Sequence, residues 1–162
     1  MESGYDLRFD HGDETPERLR RQFSRLAGMT AAQTRLVAGE ALAAVGAGKD
    51  DFVVLATLAE LGPASQAALS VRTRIYTSDL VAVLNDLAAG GWIRRTPDPA
   101  DKRRNVITIT AGGERRLAEL DRILGRVNEH IMAPLGRDER AQLFALLGRV
   151  NAHLDRDPQL PG

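Results

Sequence analysis

The chain has 162 residues, with 22 Lys and Arg against 22 Asp and Glu, a formal net charge of +0 and no cysteine. Hydrophobic residues make up 43% and charged residues 27%, which fits one compact domain or two small intertwined lobes and excludes a disordered chain. The lack of cysteine excludes disulfide frameworks, Cys-based zinc sites and thiol redox sensing, while overall neutrality argues against indiscriminate nucleic-acid coating but leaves room for a local basic patch.

No apolar run approaches the ~18 residues of a membrane span. The N-terminus lacks the basic and apolar blocks of a signal peptide, so a cytoplasmic location away from membranes is expected. Residues 1–14 read as a flexible acidic tail, and residues 156–162 as a second flexible tail.

Thr15-Pro16-Glu17 reads as a helix start: a capping hydroxyl, proline at the first helical position, then a carboxylate near the positive end of the dipole. Leu19, Phe23 and Leu26 follow at helical spacing. A single long helix, kinked near Gly28 and ended by Gly46-Ala47-Gly48, is the simplest reading. Its apolar stripe lacks cover from its chain neighbours. That suggests a partner chain, with an ordinary intramolecular core as the alternative.

Asp50-Asp51 opens the next helix, with Phe52, Leu55, Leu58 and Leu61 facing inward and Gly62-Pro63 as its stop. Ser65 caps a short helix from Gln66 to Arg72, and residues 72–75 form a turn. A further helix runs to Ala89 with Leu80, Val83, Leu84 and Leu87 as its buried stripe. Gly90-Gly91 closes it.

Next comes a hairpin. Its first arm is 92–96 and its return arm, Val106 to Ile109, is β-branched throughout. Pro97, Asp98, Pro99 and Asp101 are turn formers that neither arm continues through. Arg94, Arg95, Lys102, Arg103 and Arg104 against Asp98 and Asp101 give five minus two, or +3, in a neutral chain. Such a hairpin is a local anion-binding device; a generic edge hairpin whose charges block aggregation is the alternative.

Thr110 caps a long helix with the stripe Leu117, Leu120, Ile123, Leu124, Val127 and Ile131. Pro134 and Gly136 end it, and a last helix spans Arg137 to about Leu154. Two short helices, a tight turn and a basic hairpin follow the order of a winged helix-turn-helix. The fold expected is mainly α with a small β-hairpin wing (α+β). Residues 48–110 form the DNA-binding lobe, and 15–47 with 111–155 form a helical dimerisation region.

Enzymatic chemistry finds little support. The histidines are scattered, Asp98 and Asp101 sit among arginines without an apolar pocket, and no phosphate loop or nucleophile elbow occurs. No cofactor and no metal are expected.

The stretch from Asp98 to Thr110 resembles the wing signature of the MarR-type winged helix-turn-helix transcriptional regulators: Asp-x-Arg, then an apolar strand ending in Leu-Thr-x-x-Gly. Asp101 and Arg103 match the Asp and Arg, and Ile109, Thr110 and Gly113 match the end. Gly62-Pro63, Gln66, Leu69, Ser78, Leu80, Leu84, Leu87 and Gly91 match the upstream framework without a gap, so the resemblance covers roughly residues 15–155. It implies a homodimer on double-stranded DNA, with Arg103 entering the minor groove, Asp101 holding its guanidinium, and a small aromatic or anionic effector. Phe52 and Trp92 are apolar candidates near the expected effector crevice, with core packing as their alternative role.

The chain departs from the family in its recognition helix, which has no Lys or Arg from Tyr76 to Ala89. Thr77 stands where an arginine is usual, and Arg74 where glycine is frequent. Thr77, Ser78 and Asp79 remain as polar contacts, and Arg72 and Arg74 are expected to supply phosphate contacts beside Arg94, Arg95, Lys102 and Arg104. The expectation is a ligand-responsive repressor on a pseudo-palindromic operator. The alternative is a winged-helix protein-interaction module with weak DNA binding.

Overall fold

The computed structural model describes residues 15–157, which form two compact units meeting between Val127 and Asn128. Expectations for residues 1–14, and for 158–162 of the second tail, lie outside the described residues. Arg156 is helical and ends the last element.

In the first unit, α1 (Glu17–Arg20) and α2 (Phe23–Ala43) replace the single helix expected. The break falls at Gln22, whose extended backbone starts α2, and not at Gly28, which lies inside α2. Pro16, rather than Thr15, holds the N-cap position of α1. Thr15 is buried, and its carbonyl accepts from Arg20 Nε at 2.8 Å. The end of α2 is as read: Gly46 has a φ of 67°, and the Ala47 amide turns back to the Leu42 carbonyl.

α3 (Lys49–Leu61) begins where Asp51 accepts the Gly48 amide at 2.8 Å. Its core face is Val54, Leu55 and Leu58. Leu61, expected inward, is 60% exposed because it sits in the last turn, outside the core. Ser65 caps α4 (Gln66–Thr73) by accepting the Ala68 amide at 3.2 Å. α5 (Thr77–Ala89) buries Leu80, Leu84 and Leu87, with Val83 half-buried.

Three strands make one antiparallel sheet in the order β1-β3-β2: β1 (Ala64–Ser65), β2 (Ile93–Pro97) and β3 (Asn105–Ile109). Sequence reading missed β1, since two residues show no alternation. Ala64 pairs with Ile107 and Ser65 with Val106, which ties the start of α4 to the wing. Pro97, read as a turn residue, is the last residue of β2 opposite Asn105. β2 is an edge strand, and an edge tolerates a residue without an amide proton.

α6 (Ala111–Ile131) starts under Thr110, whose Oγ1 accepts the Gly113 amide and donates to the Gly91 carbonyl. Leu120, Ile123 and Val127 are its buried apolar residues. In the first unit the core joins α3, α4, α5, the sheet and this face of α6. Phe52 and Trp92 are half-buried and pack against it.

The second unit contains the end of α6 and α7 (Arg137–Arg156). Arg140 donates through Nε to the carbonyls of Met132 and Leu135, and through Nη1 to Glu129 at 2.6 Å. No residue of α7 is buried. Leu143, Phe144, Leu146 and Leu147 are all exposed, as are Phe23, Leu26 and Leu36 of α2 in the first unit.

Candidate nucleic-acid interface

Two elements of the first unit expose the residues singled out above. The first is α5. Thr77, Ser78 and Asp79 are exposed in its first turn. Ser70 Oγ donates to the Ile75 carbonyl at 2.7 Å, so in its 3.4 Å contact with Thr77 the threonine hydroxyl is the donor. Ser78 Oγ leans toward Asp79 Oδ1 at 3.4 Å. The turn before the helix is built by Arg74, whose φ of 56° is left-handed. That conformation explains why a glycine suits the position, and it costs about 1–2 kcal/mol for a residue with a Cβ. Arg72 and Arg74 are both exposed beside α5.

The second element is the wing. Its loop, residues 98–104, closes with the Asp98 amide on the Arg104 carbonyl and the Arg104 amide on the Asp101 carbonyl. Two aspartates shape it: Asp98 Oδ1 accepts the Ala100 amide and Asp101 Oδ1 the Arg103 amide, at 2.9 and 3.1 Å. Both fit the turn role that aspartate plays two residues before a bonded amide. The expected grip of Asp101 on the Arg103 guanidinium is not formed. Asp101 holds Arg103 by its backbone, and its Oδ2 lies 3.6 Å from Arg104 Nε. Asx-turn geometry points the carboxylate at the loop's own amides. Lys102, Arg103 and Arg104 are all exposed.

Arg94 and Arg95 lie on β2, opposite Thr108 and Ile107. Arg95 reaches back to α5, where its Nη2 donates to Asn85 Oδ1 at 2.9 Å. Sequence reading passed over Asn85. Its only signal is an amide on the outer face of a helix otherwise poor in hydrogen-bonding groups. α5, which has no Lys or Arg of its own, thus has a cation beside it from the neighbouring strand.

Among the described residues, no group of three His, Asp or Glu is placed to hold a metal. Trp92 lines two open clefts of about 530 and 550 Å3. Phe52 lines neither, so the two effector candidates do not share either cleft. Arg115 and Arg116 flank the second cleft.

The sequence profile of the MarR family matches residues 49–104, which run from the start of α3 to the tip of the wing. The transcriptional regulator HosA of Escherichia coli O111:H- is 33% identical over 92 residues, which cover 57% of this chain and 68% of HosA. The chain belongs to the MarR family. The transcriptional repressor NicR of Pseudomonas putida is 28% identical over 92 residues, 57% of this chain and 58% of NicR. The chain therefore spans less than two thirds of NicR's length. Among solved structures, wild-type MarR of E. coli in its apo form superposes with a TM-score of 0.71 at 25% identity, over 80% of this chain and 96% of that one. A cysteine-to-serine MarR mutant complexed with operator DNA gives a TM-score of 0.68 at 25% identity, over 78% and 91% of the two chains. PcaV of Streptomyces coelicolor, in complex with its natural ligand, gives 0.70 at 25% identity, over 83% and 94%. The MarR-type winged-helix fold expected from the sequence is the fold observed.

Proposed function

We propose that this MarR-family chain is a homodimeric, sequence-specific double-stranded DNA-binding regulator that acts as a repressor on a pseudo-palindromic operator. The observation that carries the reading is the wing tip: Lys102, Arg103 and Arg104 are exposed on a loop that Asp98 and Asp101 hold rigid through its own amides. A preorganised loop loses less entropy when it binds. In this reading α5 enters the major groove, presenting Thr77, Ser78 and Asp79, and Arg103 enters the flanking minor groove. A narrow minor groove has enhanced negative potential that attracts arginine. Arg72, Arg74 and Arg94 supply phosphate contacts.

The dimerisation region takes 15–47 and 111–155. The exposed leucines and phenylalanines of α2 and α7 support it, since apolar surface of this kind is expected to be covered. A small aromatic or anionic effector is read into the open cleft beside Trp92, which Arg115, Arg116 and Glu119 also line, and would act by favouring one spacing of the two lobes. No enzymatic role is proposed, and the regulator is read as cytoplasmic.

The rival reading, a protein-interaction module, has one observation in its favour. α5 carries Asp79 and Asp86, no cation, and exposed Tyr76 at its start. A gel shift against fragments of the protein's own promoter region separates the two. Specific retardation that is lost in Arg103→Ala supports the regulator. No retardation on any genomic fragment at modest salt favours the interaction module.

A further inference from the structure

α5 turns one side to the core and the other to solvent. Leu80, Leu84 and Leu87 are fully buried, whereas Thr77, Ser78, Val81, Ala82 and Asn85 are exposed. At 3.6 residues per turn those five share one continuous face, and Asp79 and Asp86 fall along its far edge. The near edge meets the wing, where Arg95 of β2 donates to Asn85 Oδ1 at 2.9 Å. The basic wing thus borders this face, and the two carboxylates of the helix lie on the side away from it.

The groups on the face limit what it can read. Guanine is most often read by Arg or Lys on its O6 and N7, and α5 has neither residue. A bidentate grip on adenine needs the asparagine oxygen to accept from N6 while its nitrogen donates to N7. In Asn85 that oxygen already accepts from a cation, so the amide nitrogen is its free group. Both purines carry N7, so such a donor holds a purine without telling adenine from guanine. Val81 is different. A β-branched side chain weakens a helix, and at 41% exposure this one gains little packing in return. Its isopropyl group is a stiff apolar knob, next to Ala82, on a face bordered by cations. The apolar mark that a base pair shows in the major groove is the C5-methyl group of thymine.

We propose that Val81 is a specificity determinant that seats the C5-methyl group of one thymine in each operator half-site. α5 then selects a T·A pair by apolar contact at a point where an arginine-bearing helix would select guanine. The inference rests on the DNA-binding reading above and adds to it the base that the helix reads. It also divides the work between the two elements: the wing supplies attraction to the duplex, and the cation-free helix supplies discrimination.

The test starts from a duplex selected by the wild-type protein out of a randomised library. Thymines are replaced by deoxyuridine, one symmetric pair of positions at a time. The replacement removes the methyl group and leaves the hydrogen bonds of the base pair intact. At one pair of positions the wild type is expected to lose about fifteenfold in affinity, about fourfold per half-site for one buried methyl group. Val81→Ala removes the isopropyl group and favours the helix. It should be indifferent to that replacement and respond as the wild type does at the other positions. A C·G pair placed there should weaken the wild type, and 5-methylcytosine in its place should restore about fourfold per half-site in the wild type but not in Val81→Ala. A deoxyuridine series without effect, or one whose effects all persist in Val81→Ala, overturns the proposal while DNA binding stands. Failure to select any duplex overturns the DNA-binding reading and the proposal together.

Discussion

Arg116 Nη2 donates a 2.6 Å hydrogen bond to the carbonyl oxygen of Val45, 71 residues earlier in the chain. The same guanidinium lies 4.7 Å from the centre of the Trp92 ring, and its Nη1 meets Glu119 at 2.8 Å. One side chain on α6 thereby ties the end of α2 to the residue that opens the wing. With a side-chain exposure of 10%, it does so largely out of water.

Replacing Arg116 by alanine removes a charge-assisted hydrogen bond and a cation–π contact, and leaves the Val45 carbonyl without that donor. The loss of stability is expected to be about 2–4 kcal/mol. Urea unfolding measures it, and a midpoint shift worth less than about 0.5 kcal/mol, the scatter of ordinary surface changes, would contradict the tie. Arg116→Lys keeps the charge and loses the planar fork, so it should recover only part of the difference.

Gly113 is buried where α6 starts against the wing. A Cβ built there meets the Trp92 carbonyl oxygen at 2.0 Å and Ile109 Cγ1 at 2.7 Å. Backbone does not yield cheaply, so Gly113→Ala is expected to cost about 3 kcal/mol. A melting temperature unchanged from the wild type would show that α6 and β2 part more easily than this packing implies.

Arg72, in the last turn of α4, and Arg74, just after it, are exposed beside a helix that carries no cation. If each neutralises one phosphate, Arg72→Gln and Arg74→Gly should each reduce the slope of log K against log salt by about one. Glycine at 74 also relieves the left-handed backbone, which costs a residue with a Cβ about 1–2 kcal/mol. Binding curves at four salt concentrations decide the matter; an unchanged slope in both variants removes these residues from the interface.

In the proposed dimer a second copy covers the exposed apolar side chains of α2 and α7. Sedimentation equilibrium at micromolar concentration is expected to give twice the 17.6 kDa chain mass. Introducing charge at two exposed positions of α7, Leu143→Asp with Leu147→Asp, should shift the population toward monomer and weaken DNA binding in parallel. A wild-type monomer would refute the dimer directly.

Periodicity and punctuation in the sequence determined much of this molecule. The Leu80, Leu84 and Leu87 stripe, the Ser65 cap, the glycine stop after α2 and the β-branched return arm each follow from local rules, because a helix face or a pleated strand repeats over a few residues. The wing motif further specified the family. What spans the chain was decided only by the tertiary structure. Nothing local shows that a two-residue strand at Ala64–Ser65 closes the sheet, because its pairing partner lies more than 40 residues away. Nor does the sequence show that Arg95 turns to Asn85, that Asp101 accepts the Arg103 amide and pairs with Arg104, or that Arg116 stacks on Trp92. Side chains choose among several nearby acceptors, and that choice depends on distances that only packing sets.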